Sequence, residues 1–355
     1  MSSSLTIVIP NRNRDLSTVR RSIASIVSQL DDVSRLVVVD YGSEPSYQIA
    51  LSNLLKTFDN VVLFLCATQG QLWNKSRCIN MVLKSCTTSH FMVSDMDMIW
   101  HPNFSQEVTS LLKQEKTIYF PVGFMPEGES EKNKSFNEIV IKGVSGVEAT
   151  GITIFPTEHV KSIGGFDEFY HGWGGEDTDV HLRLQRAGFD VEFIKDSMYF
   201  KHQWHSKMYR SVKSKYPFAE TLELINGQYL NRVKKGIAVK ANHLRDVGVV
   251  PIPYDVNMPE ASIDVYTTRD QVLSALYYMD NYREHRIFLT VRQHPERNDV
   301  LKMIKRKVKN KSINFISILE VNNIVLEWIV FKARNSYYDY KLIGEHTVAL
   351  ELHYR

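Results

Sequence analysis

The chain has 355 residues, 43% of them hydrophobic and 23% charged, with a formal net charge of +3. That length accommodates two domains and a sizeable core, and the composition is that of a soluble globular protein. The charge is too small to mark a nucleic-acid binder, and Cys66, Cys78 and Cys86 form no CxxC pair, which favours reduced thiols over a disulfide framework or a cysteine zinc site. Met1 to Leu5 lacks a basic segment and the apolar run that follows stops at Pro10, so no secretory leader is expected. No apolar run reaches bilayer-spanning length; even Ile324 to Phe331 is broken by Glu327. These features point to the cytoplasm, with the chain soluble or peripheral at the inner face of the membrane.

In chain order, Leu5 to Ile9 is a short β-rich apolar run of the kind buried in a parallel sheet. The loop Pro10 to Arg14 follows, and Asp15 is placed to cap a helix carrying Leu16, Val19, Ile23, Ile26 and Leu30. Leu36 to Val39 reads as the second strand, ending in Asp40-Tyr41-Gly42-Ser43. After a helix comes Val61 to Leu65, then a helix over about Leu72 to Leu83, then a strand at Phe91 to Val93 that runs into Ser94-Asp95-Met96-Asp97. The alternation predicts an α/β, Rossmann-like, mostly parallel sheet. Ligands in such sheets bind beyond the carboxyl ends of the strands. Arg12 and Arg14, Asp40, and Asp95 with Asp97 all fall at those ends, which argues for a nucleotide site.

Glu127 to Gly146 is polar and reads as a mobile surface loop. A strand at Thr150 to Phe155, a short helix at Pro156 to Ile163 and a strand at Val191 to Ile194 frame the central motif. Lys207 to Lys240 is basic and helical in pattern, and Pro251, Pro253 and Pro259 mark a linker. The pattern then restarts. Strands are expected at Ile263 to Tyr266, Arg286 to Val291, Ile313 to Ile318 and Thr347 to Leu352, with helices at Asp270 to Asn281, Val300 to Lys309 and Ile324 to Ala333. The expected domains are 1–245, a linker at 246–261, and a smaller α/β domain at 262–355 of unassigned role.

The central motif is Gly172-Trp173-Gly174-Gly175-Glu176-Asp177-Thr178-Asp179. Its glycines permit a tight turn and close approach to a ligand, Trp173 offers a flat apolar face, and the acids open a helix whose dipole favours their ionised form. That combination suits a base or ligand-binder on a stiff support. Asp95-Met96-Asp97 at a strand end suits a divalent cation that bridges two phosphates, and oxygen ligands favour Mg2+ or Mn2+. An imidazole joining them favours Mn2+; His205 is the first candidate and His202 the second.

Four segments carry a resemblance. Ile9-Pro10-Asn11-Arg12-Asn13-Arg14 resembles the uridine-binding loop of the β-1,4-galactosyltransferases, Pro-Phe-Arg-Asn-Arg. Trp73 to Asn80 resembles the helix that supports their nucleotide-sugar site. Asp95-Met96-Asp97 stands where their Asp-x-Asp stands, and Gly172 to Asp177 matches their Gly-Trp-Gly-Gly-Glu-Asp motif. The first 210 or so residues thus resemble a metal-dependent GT-A glycosyltransferase, similar to bacterial family-2 enzymes in other respects. Asn11 replaces the family's loop phenylalanine, which leaves Tyr41 as a candidate for base stacking, and Asp40-Tyr41-Gly42-Ser43 replaces Asp-Asp-Gly-Ser.

The resemblance implies that Pro10, Arg12, Arg14 and Asp40 hold uridine and diphosphate, and that Asn74 and Arg77 line the donor pocket. Asp95 faces ribose and metal, and Asp97 binds the metal. Trp173 is the acceptor-sugar platform, Glu176 contacts a sugar hydroxyl, and Asp177 is the general base. The expected activity is inverting transfer of a hexose or N-acetylhexosamine from a UDP-sugar to a glycan or lipid-linked glycan, in bacterial surface polysaccharide synthesis. The rivals are a retaining N-acetylgalactosaminyltransferase-like enzyme, a catalytically silent nucleotide-sugar-binding module and, ranked lowest, a nucleotidyltransferase. The basic residues Lys302, Lys305, Arg306, Lys307, Lys309 and Lys311 read first as a solvated face and second as a membrane contact.

Overall fold

A computed structural model describes residues 4–30, 34–146, 151–206, 220–237, 241–242, 247–253, 258–299, 301–302, 304, 308 and 313–354. The described residues of 1–69, 73–206 and 226–250 form one compact unit, and those of 70–72, 207–225 and 251–355 form a second.

The first unit begins with β1 (Leu5–Asn11), α1 (Leu16–Val27), β2 (Ser34–Tyr41), α2 (Pro45–Leu55), β3 (Val61–Cys66), α3 (Lys75–Leu83) and β4 (His90–Val93). Asp15 caps α1 as its pattern suggests, its carboxylate accepting the Ser17 and Thr18 amides. Then come β5 (Met98–Trp100), α4 (Phe104–Leu111), β6 (Thr117–Tyr119), β7 (Val122–Phe124), β8 (Gly143–Val144), β9 (Thr153–Pro156), α5 (Thr157–Ser162), α6 (Glu176–Arg186), β10 (Val191–Phe193) and β11 (Phe200–His202). The last helix here, α7 (Glu220–Lys234), contributes its residues from Asn226 onward to this unit.

The main sheet has the order β10-β6-β9-β4-β1-β2-β3. β3, β2, β1 and β4 run parallel, while β9 is antiparallel to both neighbours. The α/β class and the mostly parallel sheet are as expected. β1 and β2 are apolar and buried along nearly their whole length, which is what helices on both faces of a parallel sheet require. The strand order reverses between β1 and β4, so the crevice beyond their carboxyl ends is where such a sheet binds ligands.

Short strands that leave little trace in the sequence make a second sheet, β5-β11-β7-β8. β11 pairs antiparallel with β5, setting His202 opposite Met98. The segment 127–146 differs from the loop expected. Buried Glu129 accepts Lys132, Lys134 and the Val140 amide, and Lys201 donates to the carbonyls of Phe136 and Ile139. A buried carboxylate with three donors is a fixed hub rather than a solvated side chain.

The second unit contains β12 (Glu260–Tyr266), α8 (Arg269–Tyr278), β13 (Arg286–Arg292), α9 (Ile318–Trp328) continued by one π-helical turn (Ile329–Ala333), β14 (Tyr337–Ile343) and β15 (Thr347–His353). Its sheet order is β12-β13-β15-β14. The strand expected at Ile313 to Ile318 does not form a ladder. Phe315 makes an isolated bridge to Thr268, and Ser317 with Glu320 forms a capping box that starts α9 at Ile318. The expected basic helix at 300–309 lies largely outside the described residues, as does 207–219 of the expected basic helical stretch. Among the described residues no helix is long and apolar enough to cross a membrane.

Candidate active site

Two clusters form beyond the carboxyl ends of β1 and β4. The first centres on Asp97, which is buried. Arg14, in the loop after β1, places Nη2 3.0 Å from Asp97 Oδ2, and His205 Nε2 lies 3.2 Å from the same oxygen. His202 Nε2 lies 3.5 Å from Oδ1, an oxygen that is buried and has no hydrogen-bond partner among the described residues. The pairing of β5 with β11 brings the histidines here, and the Gln203 amide donates to the Asp97 carbonyl at 2.9 Å. Burial works against the Asp97 charge, but the His205 hydrogen bond, then His202 and Arg14, outweigh it and hold the carboxyl well below the usual range.

The ligand atoms of Asp97, His202 and His205 lie within 4.8 Å of one another. One carboxylate with an orphaned oxygen and two imidazoles fits a borderline divalent cation such as Mn2+. The sequence ranked one histidine above the other; both converge on Asp97. Asp95 is turned elsewhere. The triplet leaves β4 as a turn rather than an extended strand, so its two carboxylates meet different partners.

The second cluster joins Asp95 to the central motif through Lys75, a residue that no sequence pattern marks. Lys75 Nζ lies 2.7 Å from Asp95 Oδ1 and 3.7 Å from Glu176 Oε1. Burial disfavours its charge, yet Asp95, Glu176 and Asp177 together raise its pKa. Glu176 is pushed up to about 7, first by burial and then by the neighbouring Asp177 charge, with Lys75 opposing. Asp95 and Asp177 converge on Gly151. A Cβ there would lie 3.5 Å from Asp95 Oδ2 and 3.8 Å from Asp177 Oδ2. Lys75, Gly151, Thr153, Glu176 and Asp177 thus line one narrow crevice.

Backbone geometry orients this motif. Gly175 starts α6 at φ +104°, and a Cβ there would sit 2.6 Å from the Tyr170 ring, so only glycine fits. The Gly172 amide donates to the Trp73 carbonyl, and Asn226 Nδ2 donates to the carbonyls of His171 and Trp173. Trp173, pinned by its backbone, keeps 49% of its surface exposed. The third acid of the motif is structural: buried Asp179 pairs with Arg183, which also donates to the carbonyls of Ile163 and Gly165.

Several expected donor-binding residues are turned inward. Asp40 is fully buried and accepts Asn11 Nδ2, the Ser43 amide and hydroxyl, and Gln48 Nε2, which leaves little capacity for a base edge. Tyr41 is also fully buried, edge-on to Trp73 and hydrogen-bonded to Arg77, so it offers no face for stacking. Arg77 is buried and spends its guanidinium on Glu168 and Tyr41. Asn74 caps α3 and donates to the Glu168 carbonyl, beside His171. Asn74 and Arg77 therefore brace the segment leading to the glycine turn from beneath. Pro10 lies within β1, and Arg12 donates to the Gln69 carbonyl at 2.9 Å. Of the residues expected at the diphosphate, Arg12 and Arg14 remain partly exposed.

Residues 136–206, the span that carries the glycine turn and both histidines, match the family model described as the N-terminal domain of galactosyltransferase. Beta-1,4-galactosyltransferase 5 of Danio rerio is 28% identical over 95 residues, 27% of this chain and 24% of that protein. The chain therefore spans about a quarter of the length of that curated relative. Two solved structures are similar to this chain. One is the mannosyltransferase PcManGT from Pyrobaculum calidifontis in complex with GDP-Man and Mn2+, at 14% identity, covering 66% of this chain and 74% of that one with a TM-score of 0.44. The other is S. aureus TarS in complex with UDP-GlcNAc, at 12% identity, 66% and 71% coverage and a TM-score of 0.46.

Proposed function

We propose that this chain is an inverting, metal-dependent glycosyltransferase of the GT-A type. It moves a hexose or N-acetylhexosamine from a UDP-sugar to a hydroxyl of a glycan or lipid-linked glycan, in assembly of a bacterial surface polysaccharide. The observation that carries the reading is the convergence of Asp95, Lys75, Glu176 and Asp177 on one crevice at the carboxyl end of β4. The galactosyltransferase match over 136–206 supports it independently.

In this reading Trp173 receives the apolar face of the acceptor sugar and Glu176 binds one of its hydroxyls. The attacking hydroxyl oxygen bonds to the anomeric carbon from the side opposite the diphosphate. Its proton passes to the Asp177 carboxylate, and UDP departs with the electron pair of the broken C–O bond, which inverts the anomeric centre. Arg12 and Arg14 supply positive charge to the diphosphate. Asp97, His202 and His205 would hold a divalent cation, whose charge offsets that developing on the leaving group. Asp95 and Lys75 orient the donor between the two clusters.

The test is UDP release from a panel of UDP-sugars with Mn2+ and trial glycan acceptors, followed by proton NMR of the product's anomeric linkage. Asp177→Asn is expected to keep donor affinity and lose about 10²–10⁴-fold in turnover. Near wild-type transfer by that variant would exclude Asp177 as the base, and a product with retained configuration would exclude direct displacement.

A further inference from the structure

The second unit has a groove that the proposed reaction does not use. β13 presents Ile287, Leu289 and Val291 to the helix-covered face of its sheet, and all three are almost wholly buried. In the parallel register Ile263 and Val265 of β12 stand beside Leu289 and Val291 on that same face, yet both are only half-buried. β12 is the edge strand, and among the described helices the one packed on it is α8. The result is a cavity of about 290 Å³ floored by Ile263, Val265 and Ala275. Asp270, Gln271 and Ser274 bound it along α8, and Tyr278 and Tyr282 complete its described lining, which stays broadly open to solvent.

We propose that this groove binds one uncharged pyranose ring of a glycan, at a site distinct in its residues from the candidate active site. Its volume is room for roughly ten water molecules, ample for a single sugar ring with its hydroxyls and some accompanying water. The lining has the two-sided chemistry of such a ring: aliphatic and tyrosine surface for the C–H face, and polar groups for the hydroxyl edge. Those polar groups have capacity to spare. The described residues give no hydrogen bond to the Asp270 carboxylate or the Ser274 hydroxyl, and Gln271 uses its carbonyl oxygen on the Tyr266 amide, leaving its NH2 to donate. A carboxylate accepting two hydroxyls beside an amide donor matches a vicinal diol. With Asp270 and no cation among the described lining residues, an acidic sugar is disfavoured.

An extended peptide added to the β12 edge is the competing occupant, and at Tyr266, the last residue of the strand, the edge is closed to it. The outward Tyr266 amide is taken by Gln271, and the Tyr266 carbonyl by the Thr268 amide at 2.7 Å. Strand addition needs those groups free.

The experiment titrates the full chain, with EDTA and no donor, with methyl β-galactopyranoside and methyl β-glucopyranoside, read by saturation-transfer NMR. The Trp173→Ala variant serves as background, so that the candidate acceptor platform does not contribute. Binding on the order of 1 mM is expected, weakened about 5-fold or more by Tyr278→Ala and by Asp270→Asn. Tyr278 is 58% exposed, so its truncation leaves the fold intact, as an unchanged melting curve would verify. No binding in the Trp173→Ala background, or binding indifferent to both further changes, overturns the inference. So does capture of an alternating Val/Thr hexapeptide in place of the glycosides. Turnover is a separate matter. A chain that transfers no sugar yet binds through Tyr278 upholds this site and sinks the proposed function, and a chain that transfers sugar without Tyr278-dependent binding does the reverse.

Discussion

Replacing Glu176 with glutamine is expected to reverse part of the chain's pH dependence of stability. In the folded chain Glu176 is pushed up to about 7 from an ordinary value of 4.5, chiefly by burial and then by Asp177. Its side chain is only 12% exposed, so solvent screening is slight. For an acid with a raised folded pKa, the folded state holds the proton that the unfolded state has already lost. Its contribution is therefore fully present below about 4.5, declines as pH rises, and is gone above about 7. A shift of that size corresponds to about 3 kcal/mol. The amide in Glu176→Gln would carry no such penalty while filling the same volume, and Lys75 would keep its 2.7 Å partner Asp95. The assay is urea unfolding of wild type and Glu176→Gln without metal at about pH 5 and about pH 8. The variant should gain about 2–3 kcal/mol on the wild type between those two conditions. Parallel stability profiles across that range would refute the account of Glu176 as a buried acid held against its charge.

Three further outcomes follow from the same geometry. His202→Ala and His205→Ala should each weaken Mn2+ binding by about 10-fold or more, measured by titration calorimetry; unchanged affinity in either variant would remove that histidine from the set around Asp97. Gly175→Ala should destabilise the chain by about 1–3 kcal/mol or more in urea unfolding, because a non-glycine residue must hold φ +104° with its Cβ against Tyr170; a neutral result would mean the turn relaxes freely. Asn226→Leu should raise the acceptor KM about 3- to 10-fold while leaving kcat and the donor KM near wild type, since it removes the bonds that pin the Trp173 carbonyl. Equal losses in donor and acceptor parameters would instead mark Asn226 as a general support of the fold.

The strands β1 to β4 and helices α1, α3 and α6 were legible because each is a local matter. An apolar run between polar loops settles as a strand, buried where it is central as in β1, β2 and β4 and half-buried at the edge as in β3, and Asp15, Asn74 and the Gly172 to Gly175 turn set their helix starts through backbone groups close by in the chain. Residue types likewise marked Asp97, Trp173, Glu176 and Asp177 as candidates. Which polar residues face the crevice was not a local matter. Asp40, Arg77 and Asn74 have the right chemistry and the right strand or helix end, but partners distant in sequence, among them Asn11 and Glu168, consume their hydrogen bonds inside the unit. Lys75 stood out by no pattern, because its meaning lies in acids 20 and about 100 residues away. His202 and His205 reach Asp97 only because β11 pairs with β5, two three-residue strands too short to give a period. Sequence thus determined the sheet, the turn and the stock of reactive groups, since propensity and capping act over a few residues. Tertiary pairing decided which of those groups keep a free valence facing the crevice, because a buried polar atom takes whichever partner the packed chain brings to it.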